Sequence, residues 1–198
     1  MIKFINTSHD SPYIKFKESY ENALNSKQNN INAICISSFS KKLNEVNARF
    51  VNLKFIDRNK FIFFSNYNSQ KSLDFIDHDQ ITATLFWNKL NLQIRLKANI
   101  KRTPEKFNKD YFKNRSKEKN ALAISSSQSS VIDSYEQVIS NYNKIFQSDN
   151  LSECPDYWGG YSFVPYYFEF WVGHESRLNR RDVFELIDGE WRRSILQP

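Results

Sequence analysis

The chain is poor in the residues that interrupt structure, with four glycines and five prolines among 198 residues. No Gly- or Pro-rich linker divides it and no internal repeat is visible, so residues 1–198 are expected to form a single domain with a sizeable core. Cysteine is scarce as well. Cys35 and Cys154 lie far apart and outside any metal-ligand spacing, which excludes a disulfide framework and points to a reducing compartment. The three histidines, His9, His78 and His174, are isolated, match no zinc spacing and have no nucleophile–base set beside them. Redox chemistry in such a chain would have to belong to a cofactor. There is no apolar N-terminal core and no long hydrophobic span, so a soluble cytoplasmic protein is the expectation.

Aromatic residues are abundant, with 17 Phe and 10 Tyr, which predicts a core built from aromatics on strands. The formal net charge of +6 favours anionic partners such as phosphates or nucleic acid. A solvated surface rich in Asn and Lys would give the same number without any partner.

Periodicity orders the elements. Ser11 as cap and Pro12 in the first turn predict an amphipathic helix over 12–27, with Tyr13, Phe16, Tyr20, Ala23 and Leu24 on one face. Strands are predicted at about 31–38, 48–56 and 60–65, the last two joined by an Asp57-Arg58-Asn59 turn. A short helix over 69–77 precedes strands at 80–87 and 91–101. The latter alternates, with Leu92, Ile94, Leu96, Ala98 and Ile100 inward. Helices follow from Thr103-Pro104-Glu105 and over 131–146, with the serine-rich run 125–130 read as a loop. Strands at about 160–172, 181–187 and 190–196 close the chain, the last pair through Asp188-Gly189. Many short antiparallel strands with a few helices make a mainly β, α+β barrel flanked by helices.

Four constellations carry potential chemistry. In Arg49-Phe50-Val51-Asn52-Leu53-Lys54, alternation puts Arg49, Val51 and Leu53 on one face and Phe50, Asn52 and Lys54 on the other, so two cations can reach different anionic groups. An edge strand with solvated charges has the same pattern. In Phe64-Ser65 through Ser69-Gln70-Lys71, a helix start, a hydroxyl and an ammonium can converge on a phosphate, although a plain N-cap needs only Ser69. Gln93 points away from the apolar face of its strand. Tyr111 and Arg115, spaced i, i+4, fall on one helical face and can grip one phosphate together, or be a packed Tyr beside an exposed Arg.

The last forty residues are the most specific. Trp158-Gly159-Gly160-Tyr161 reads as a tight turn with positive φ feeding a strand. Arg177, Arg180 and Arg181 then place three arginines within five residues, which are costly to bury without anions to meet them. That pattern suggests a phosphorylated ligand.

Taken in order, these blocks resemble the pyridoxamine 5′-phosphate oxidase family over about residues 11–198. The resemblance implies an FMN-binding split β-barrel, assembled as a homodimer with two flavin sites at the subunit interface. It implies oxidation of pyridoxine or pyridoxamine 5′-phosphate to pyridoxal 5′-phosphate, with oxygen as acceptor and hydrogen peroxide released. By the same resemblance Arg49 to Lys54 line the flavin, followed by Phe64 and Ser65. Lys71, beside Ser69 and Gln70, meets the FMN phosphate, and Gln93, Gln128, Ser129, Trp171 and Arg181 complete the cofactor site. The substrate phosphate meets Lys54, Tyr111 and Arg115, with Lys119 beside them, while Arg177 and Asn179 face the pyridine ring. Four positions depart from the family pattern. Gln70 stands for an Arg, Lys119 for a phosphate-binding Ser, Phe64 for a Tyr, and Asn179 for the His of an Arg-Leu-His motif. Asn donates a hydrogen bond but cannot titrate. These departures leave two other readings: a related flavin oxidase or reductase with another substrate, like the phenazine-pathway relatives, or a non-catalytic flavin- or ligand-binding split-barrel protein.

Overall fold

Alternation along the strands decides where the core lies. In the computed structural model, which describes residues 1–148 and 150–198, strand β7 (Leu92–Arg102) buries Leu92, Ile94, Leu96, Ala98 and Ile100 as its pattern requires. The other strands are β1 (Lys3–Ile5), β2 (Ala33–Ser40), β3 (Glu45–Asn52), β4 (Phe55–Asp57), β5 (Lys60–Asn66), β6 (Gln80–Trp87), β8 (Trp158–Val172), β9 (Arg180–Ile187) and β10 (Glu190–Leu196). They form one mixed sheet in the order β1-β4-β5-β8-β7-β6-β2-β3, with the β9–β10 hairpin joined to β8. Every pairing is antiparallel except that of β1 with β4.

Strand β8 is the spine. Its first half pairs with β5, its second half with β9, and nearly its whole length with β7. The register with β7 shifts between Lys97 and Ala98, opposite Tyr167 and Pro165. An extra residue there bends the strand, and a bulge is where a proline without an N–H is tolerated inside a sheet. At the other end of the sheet, β3 runs straight into β4: the Leu53 N–H donates to Asn32 O and the Lys54 N–H to Ile62 O, each at 2.8 Å. These bonds bring the β3 end back to β5, so the sheet curls around its core.

Aromatics fill that core. Phe61 stacks on Phe163 with ring centres 5.3 Å apart, and helix α1 (Ser11–Asn25) drives Tyr13 against Phe168 and Phe16 against Phe61, both at 5.1 Å. Each ring fully buried this way stabilises the fold by about 1.5–3 kcal/mol. The remaining helices are α2 (Gln70–Asp77), α3 (Glu105–Lys113), α4 (Lys117–Ser125) and α5 (Tyr135–Phe146). None of the described helices is long and apolar enough to cross a membrane.

Several expectations are corrected. Asp10, not Ser11, is the cap residue of α1, and Leu24 is exposed. The strand expected over 48–56 is two strands broken at Leu53-Lys54, because those N–H groups turn to new partners. Helix α5 starts at Tyr135, capped by Ser134, and Val131 is 99% exposed, so the helix is shorter at its N-terminus than the expected 131–146. Strand β1 and helix α4 were not foreseen; α4 opens on Lys117-Glu118-Lys119-Asn120, which carries no apolar face.

Gly159 and Gly160 are not a turn. They lie inside β8, paired with Ser65 and Phe64, and neither has a positive φ. Glycine is required there for room: a Cβ on Gly159 would collide with the Tyr67 hydroxyl and the Asn108 amide, and one on Gly160 with Thr103 Oγ1. Asn108 Oδ1 accepts the Gly160 N–H at 2.9 Å, which fixes α3 onto β8. Gly159→Ala is therefore expected to destabilise the protein by about 1–3 kcal/mol, read as a lower urea midpoint, whereas Gly189→Ala, in open space at φ +82°, should act only through backbone strain.

Candidate functional site

A cleft of about 850 Å³ opens between β3, β5, the start of α2, the α3–α4 junction and Gln128-Ser129. It is lined by Arg49, Lys54, Lys71, Arg115 and Lys119 and, among the described residues, by no Asp or Glu. Among the described residues only Arg49 of these five forms an ion pair.

At one end lies Lys71, 6% exposed at the start of α2. Its ammonium donates to Ser65 Oγ and Ser69 Oγ, both at 3.0 Å. Burial, and then the nearby Arg49, push its pKa down to about 8. Arg49 Nη1 donates to Ser38 Oγ at 2.7 Å, and its guanidinium stands 3.7 Å from the buried Asp74, which also accepts from Ser38 and Gln70. Burial is again the main force lowering the Arg49 pKa, with Asp74 opposing it. Ser69 was expected to face a ligand from the helix cap. Instead it makes no cap bond and lies outside the cleft lining. Its hydroxyl donates to Asn66 O at 2.8 Å and accepts from Lys71. Its role is to hold the ammonium.

The other end has an aromatic wall. Tyr111 stacks on Phe64 at 3.8 Å and Phe64 on Trp158 at 5.1 Å, both nearly parallel. The Arg115 guanidinium lies 4.4 Å over Trp158, a cation–π contact that holds its plane. Helix α3 stops at Lys113, so Arg115 does not share a helical face with Tyr111; it arrives from the following turn and meets Tyr111 through this wall. Arg115 Nη1 is buried without a partner, and Nη2 donates to Lys119 O at 3.3 Å. Burial lowers the Arg115 pKa. The Lys54 pKa is lowered too, by burial first and then by Lys119 and Arg115.

Gln128 joins the two ends. Its Oε1 accepts from Ser65 Oγ at 3.3 Å and the Asn66 N–H at 3.2 Å, and Ser129 follows with φ +74°. Phe50, Val51 and Asn52 line the rim, Phe50 being 73% exposed. Leu53 does not; it is fully buried in the core. Trp158, Asn47, Asn114 and Ser116 also line the cleft; none was expected as a site residue, although Trp158 belongs to the Trp-Gly-Gly-Tyr block and Asn114 lies between Tyr111 and Arg115.

The remaining expected residues lie elsewhere on the chain. Gln93, Trp171 and Arg181 stand in register on β7, β8 and β9, forming one row across three strands, outside the cleft. Arg181 is held by the buried Glu169, Nε at 2.8 Å and Nη2 at 2.7 Å, and Glu169 also accepts from Arg95 and Tyr167. Arg177, with φ +60°, and Asn179 occupy the loop between β8 and β9. Asn179 Oδ1 accepts the His174 N–H at 3.0 Å.

Residues 158–198 match a family model described as the pyridoxine 5′-phosphate oxidase C-terminal dimerisation region. The chain is 32% identical over 195 residues to pyridoxine/pyridoxamine 5′-phosphate oxidase 2 of Hydrogenovibrio crunogenus, covering 98% of this chain and 91% of the relative. It belongs to the pyridoxine/pyridoxamine 5′-phosphate oxidase family. Another family member, from Leptospira biflexa, is 38% identical over 153 residues, or 76% of this chain and 72% of the relative. Among solved structures, PhzG from Burkholderia lata 383, in complex with tetrahydrophenazine-1-carboxylic acid, superimposes with a TM-score of 0.87 at 21% identity, covering 94% of this chain and 92% of that one. A pyridoxamine 5′-phosphate oxidase-related, FMN-binding protein from Nostoc punctiforme gives 0.76 at 11% identity, covering 92% and 97%. At those identities the two structures establish a shared fold. The segment matched to the oxidase family's dimerisation region carries Trp171, Arg177, Asn179 and Arg181, which with Gln93 stand away from the cleft.

The buried Lys71 gives a test of the charge argument. With a pKa of about 8 in the folded chain against 10.5 when free, its ammonium opposes folding at neutral pH. Lys71→Met should stabilise the ligand-free protein by about 2–3 kcal/mol at pH 7 in urea titrations. Below pH 8 both states of the wild type keep the proton, so the advantage is full. Between pH 8 and 10.5 the unfolded chain binds more protons than the folded one, so wild-type stability rises and the advantage should disappear.

Proposed function

We propose that the protein is an FMN-dependent oxidase converting pyridoxine or pyridoxamine 5′-phosphate to pyridoxal 5′-phosphate. It would act as a cytoplasmic homodimer of single-domain split barrels. The observation that carries this reading is a cleft with cations at both ends and, among the described residues, no carboxylate in its lining. Lys71 bonded only to hydroxyls and Arg115 with an unpartnered nitrogen are groups left for anions. One end suits the terminal phosphate of FMN, the other the phosphate of the substrate.

These residues fit the cofactor. Lys71 and Arg49 would hold its phosphate, Ser65, Gln128 and Ser129 would hydrogen-bond along it, and Val51 and Asn52 would border its ring. When bound, FMN supplies a two-electron acceptor that oxygen restores, with hydrogen peroxide as the product. The chain's own part is positioning: Lys54, Tyr111 and Arg115 hold the substrate phosphate, and the Phe64–Trp158 wall excludes water from one side. The alcohol loses two hydrogens to give the aldehyde directly. From the amine, water then completes the conversion and ammonia leaves.

A homodimer accounts for the row formed by Gln93, Trp171 and Arg181. Trp158 lines the cleft and Trp171 lies in the row, thirteen positions further along β8, roughly 40 Å of extended strand. A ligand in the cleft would meet the row of a second copy more readily than that of its own chain. Exposed Val46, Phe50 and Phe86 offer apolar surface for such an association. The two free cysteines suit a reducing cytoplasm.

Asn179 favours a second reading, a related flavin oxidase or reductase acting on another substrate. Its side-chain oxygen is engaged within its own loop and it has no titratable group. A non-catalytic flavin-binding protein is the third.

Purified protein should be yellow, sediment as a dimer and consume oxygen with both vitamin B6 phosphates. Lys71→Ala should weaken FMN binding about tenfold or more, the loss of a charge-assisted contact. Arg177→Ala should lower turnover far more than flavin affinity, and Asn179→His should raise it. A monomer that binds FMN stoichiometrically would refute the dimer. No oxidation by wild type and Asn179→His alike, with FMN bound, would shift the assignment to the second reading.

A further inference from the structure

We propose that Glu169 is a positioning residue for the cofactor: it fixes the plane of Arg181, so that the row Gln93–Trp171–Arg181 meets the flavin with aimed donors instead of a mobile charge. The row is assigned, as proposed above, to the FMN site of a second copy, and the role of Glu169 rests on that assignment. Glu169 lies two positions before Trp171 on β8, so the two side chains leave the same side of the sheet. Phe168 and Phe170 point the other way, into the core. In register, Glu169 stands between Arg95 on β7 and Val183 on β9, directly behind the row. Its carboxylate therefore faces Arg95 across the ladder and reaches Arg181 on the diagonal, a span that long side chains cover.

Each carboxylate oxygen holds one arginine. Oε1 accepts from Arg181 Nε at 2.8 Å, with Nη2 2.7 Å away, and Oε2 accepts from Arg95 Nε at 3.1 Å. Arg95 Nη2 also pairs with Oε2, and the Tyr167 hydroxyl donates to it at 2.9 Å. The Glu169 side chain is 4% exposed and that of Arg181 26%, so the carboxylate is buried behind a guanidinium that reaches the surface. Burial would raise the Glu169 pKa, but hydrogen bonds from Arg181, Arg95 and Tyr167 outweigh it and hold the carboxyl below its ordinary value. Opposite the carboxylate, Arg181 Nη1 donates to Gln197 O at 3.1 Å. The guanidinium is thus held at two corners, and the N–H groups left to it are on Nη1 and Nη2. With the FMN phosphate assigned to Lys71, what remains for the row is the ring and its ribityl chain, which are uncharged in the oxidised cofactor. Such a partner is recognised by directed hydrogen bonds, so a preorganised guanidinium gains affinity that a freely moving one loses, and the negative charge of Glu169 beside it costs little.

The test is FMN titration of the flavin-free protein, followed by quenching of flavin fluorescence. Wild type is compared with Arg181→Ala, Arg181→Lys, Glu169→Gln and the double variant, each shown by far-UV circular dichroism to be folded at the titration temperature. Arg181→Ala should weaken FMN binding about tenfold or more, and Glu169→Gln about three- to tenfold. The double variant should bind within about twofold of Arg181→Ala, because Glu169 acts through that guanidinium. Arg181→Lys keeps the charge and loses the fork, so it should bind about as weakly as Arg181→Ala. A lower melting temperature with an unchanged dissociation constant in Glu169→Gln would make Glu169 merely structural and overturn the proposal. Equal losses from Glu169→Gln with and without Arg181, or tighter binding in Glu169→Gln, overturn it too. So does wild-type affinity in Arg181→Lys, which decides the matter alone if Glu169→Gln does not fold. Unchanged FMN affinity in Arg181→Ala takes the row away from the flavin, and the shared site of the proposed function falls together with the role of Glu169. A loss in Arg181→Ala without one in Glu169→Gln sinks only the latter.

Discussion

The burial of an ammonium without a carboxylate is the constraint on which the cleft depends. Lys71 is held by two serine hydroxyls, and those hydroxyls are themselves fixed, Ser69 by Asn66 O and Ser65 by Gln128. Burying a charge this way costs stability unless an anion arrives. The surrounding fold supplies what opposes that cost: a β5 strand buried on both faces and an aromatic core packed beneath it. Stability is thereby exchanged for a cation held ready at the wall of the cleft.

Strand β8 links that site to the rest of the chain. Gly159 and Gly160 allow α3 to approach closely enough for Asn108 to bond the strand, and this sets the Tyr111–Phe64–Trp158 wall. Beyond the bulge near Pro165 the same strand carries Glu169, which holds Arg95 and Arg181, and then Trp171. On β9, next to Arg181, Asp182 is buried and gathers Lys15, Arg180 and Arg193. Hydrogen bonds from those cations hold the Asp182 carboxyl well below the usual range against the opposing effect of burial. The N-terminal helix is thus tied to the C-terminal hairpin, the part of the chain that matches the oxidase family's dimerisation region.

Much of this was legible in the residues. The alternation of β7, the Asp188-Gly189 turn and the cations at positions 49, 54, 71 and 115 read directly, because period and charge are local properties, and of the expected Asp57-Arg58-Asn59 turn only Asp57 differs, ending β4 opposite Lys60. The errors fall where a distant partner overrides a local pattern. Gly159-Gly160 looked like a turn because glycine permits one, yet Tyr67, Thr103 and Asn108 are what exclude a side chain there. Helix α4 had no amphipathic stripe, since it buries only Asn120 and Ala121.

What the sequence determined by itself is the family, the strand periodicity and the supply of cations without matching acids in the ordered blocks. Tertiary structure alone decided which of those residues meet. It turned Leu53 into the core, set Ser69 to hold Lys71 and brought Gln128 across more than sixty positions to Ser65. It laid Arg115 on Trp158 after the helix had ended. The physical reason is that hydrogen bonding and stacking are chosen by proximity in space, and a strand or helix period fixes only the side from which a residue can offer them.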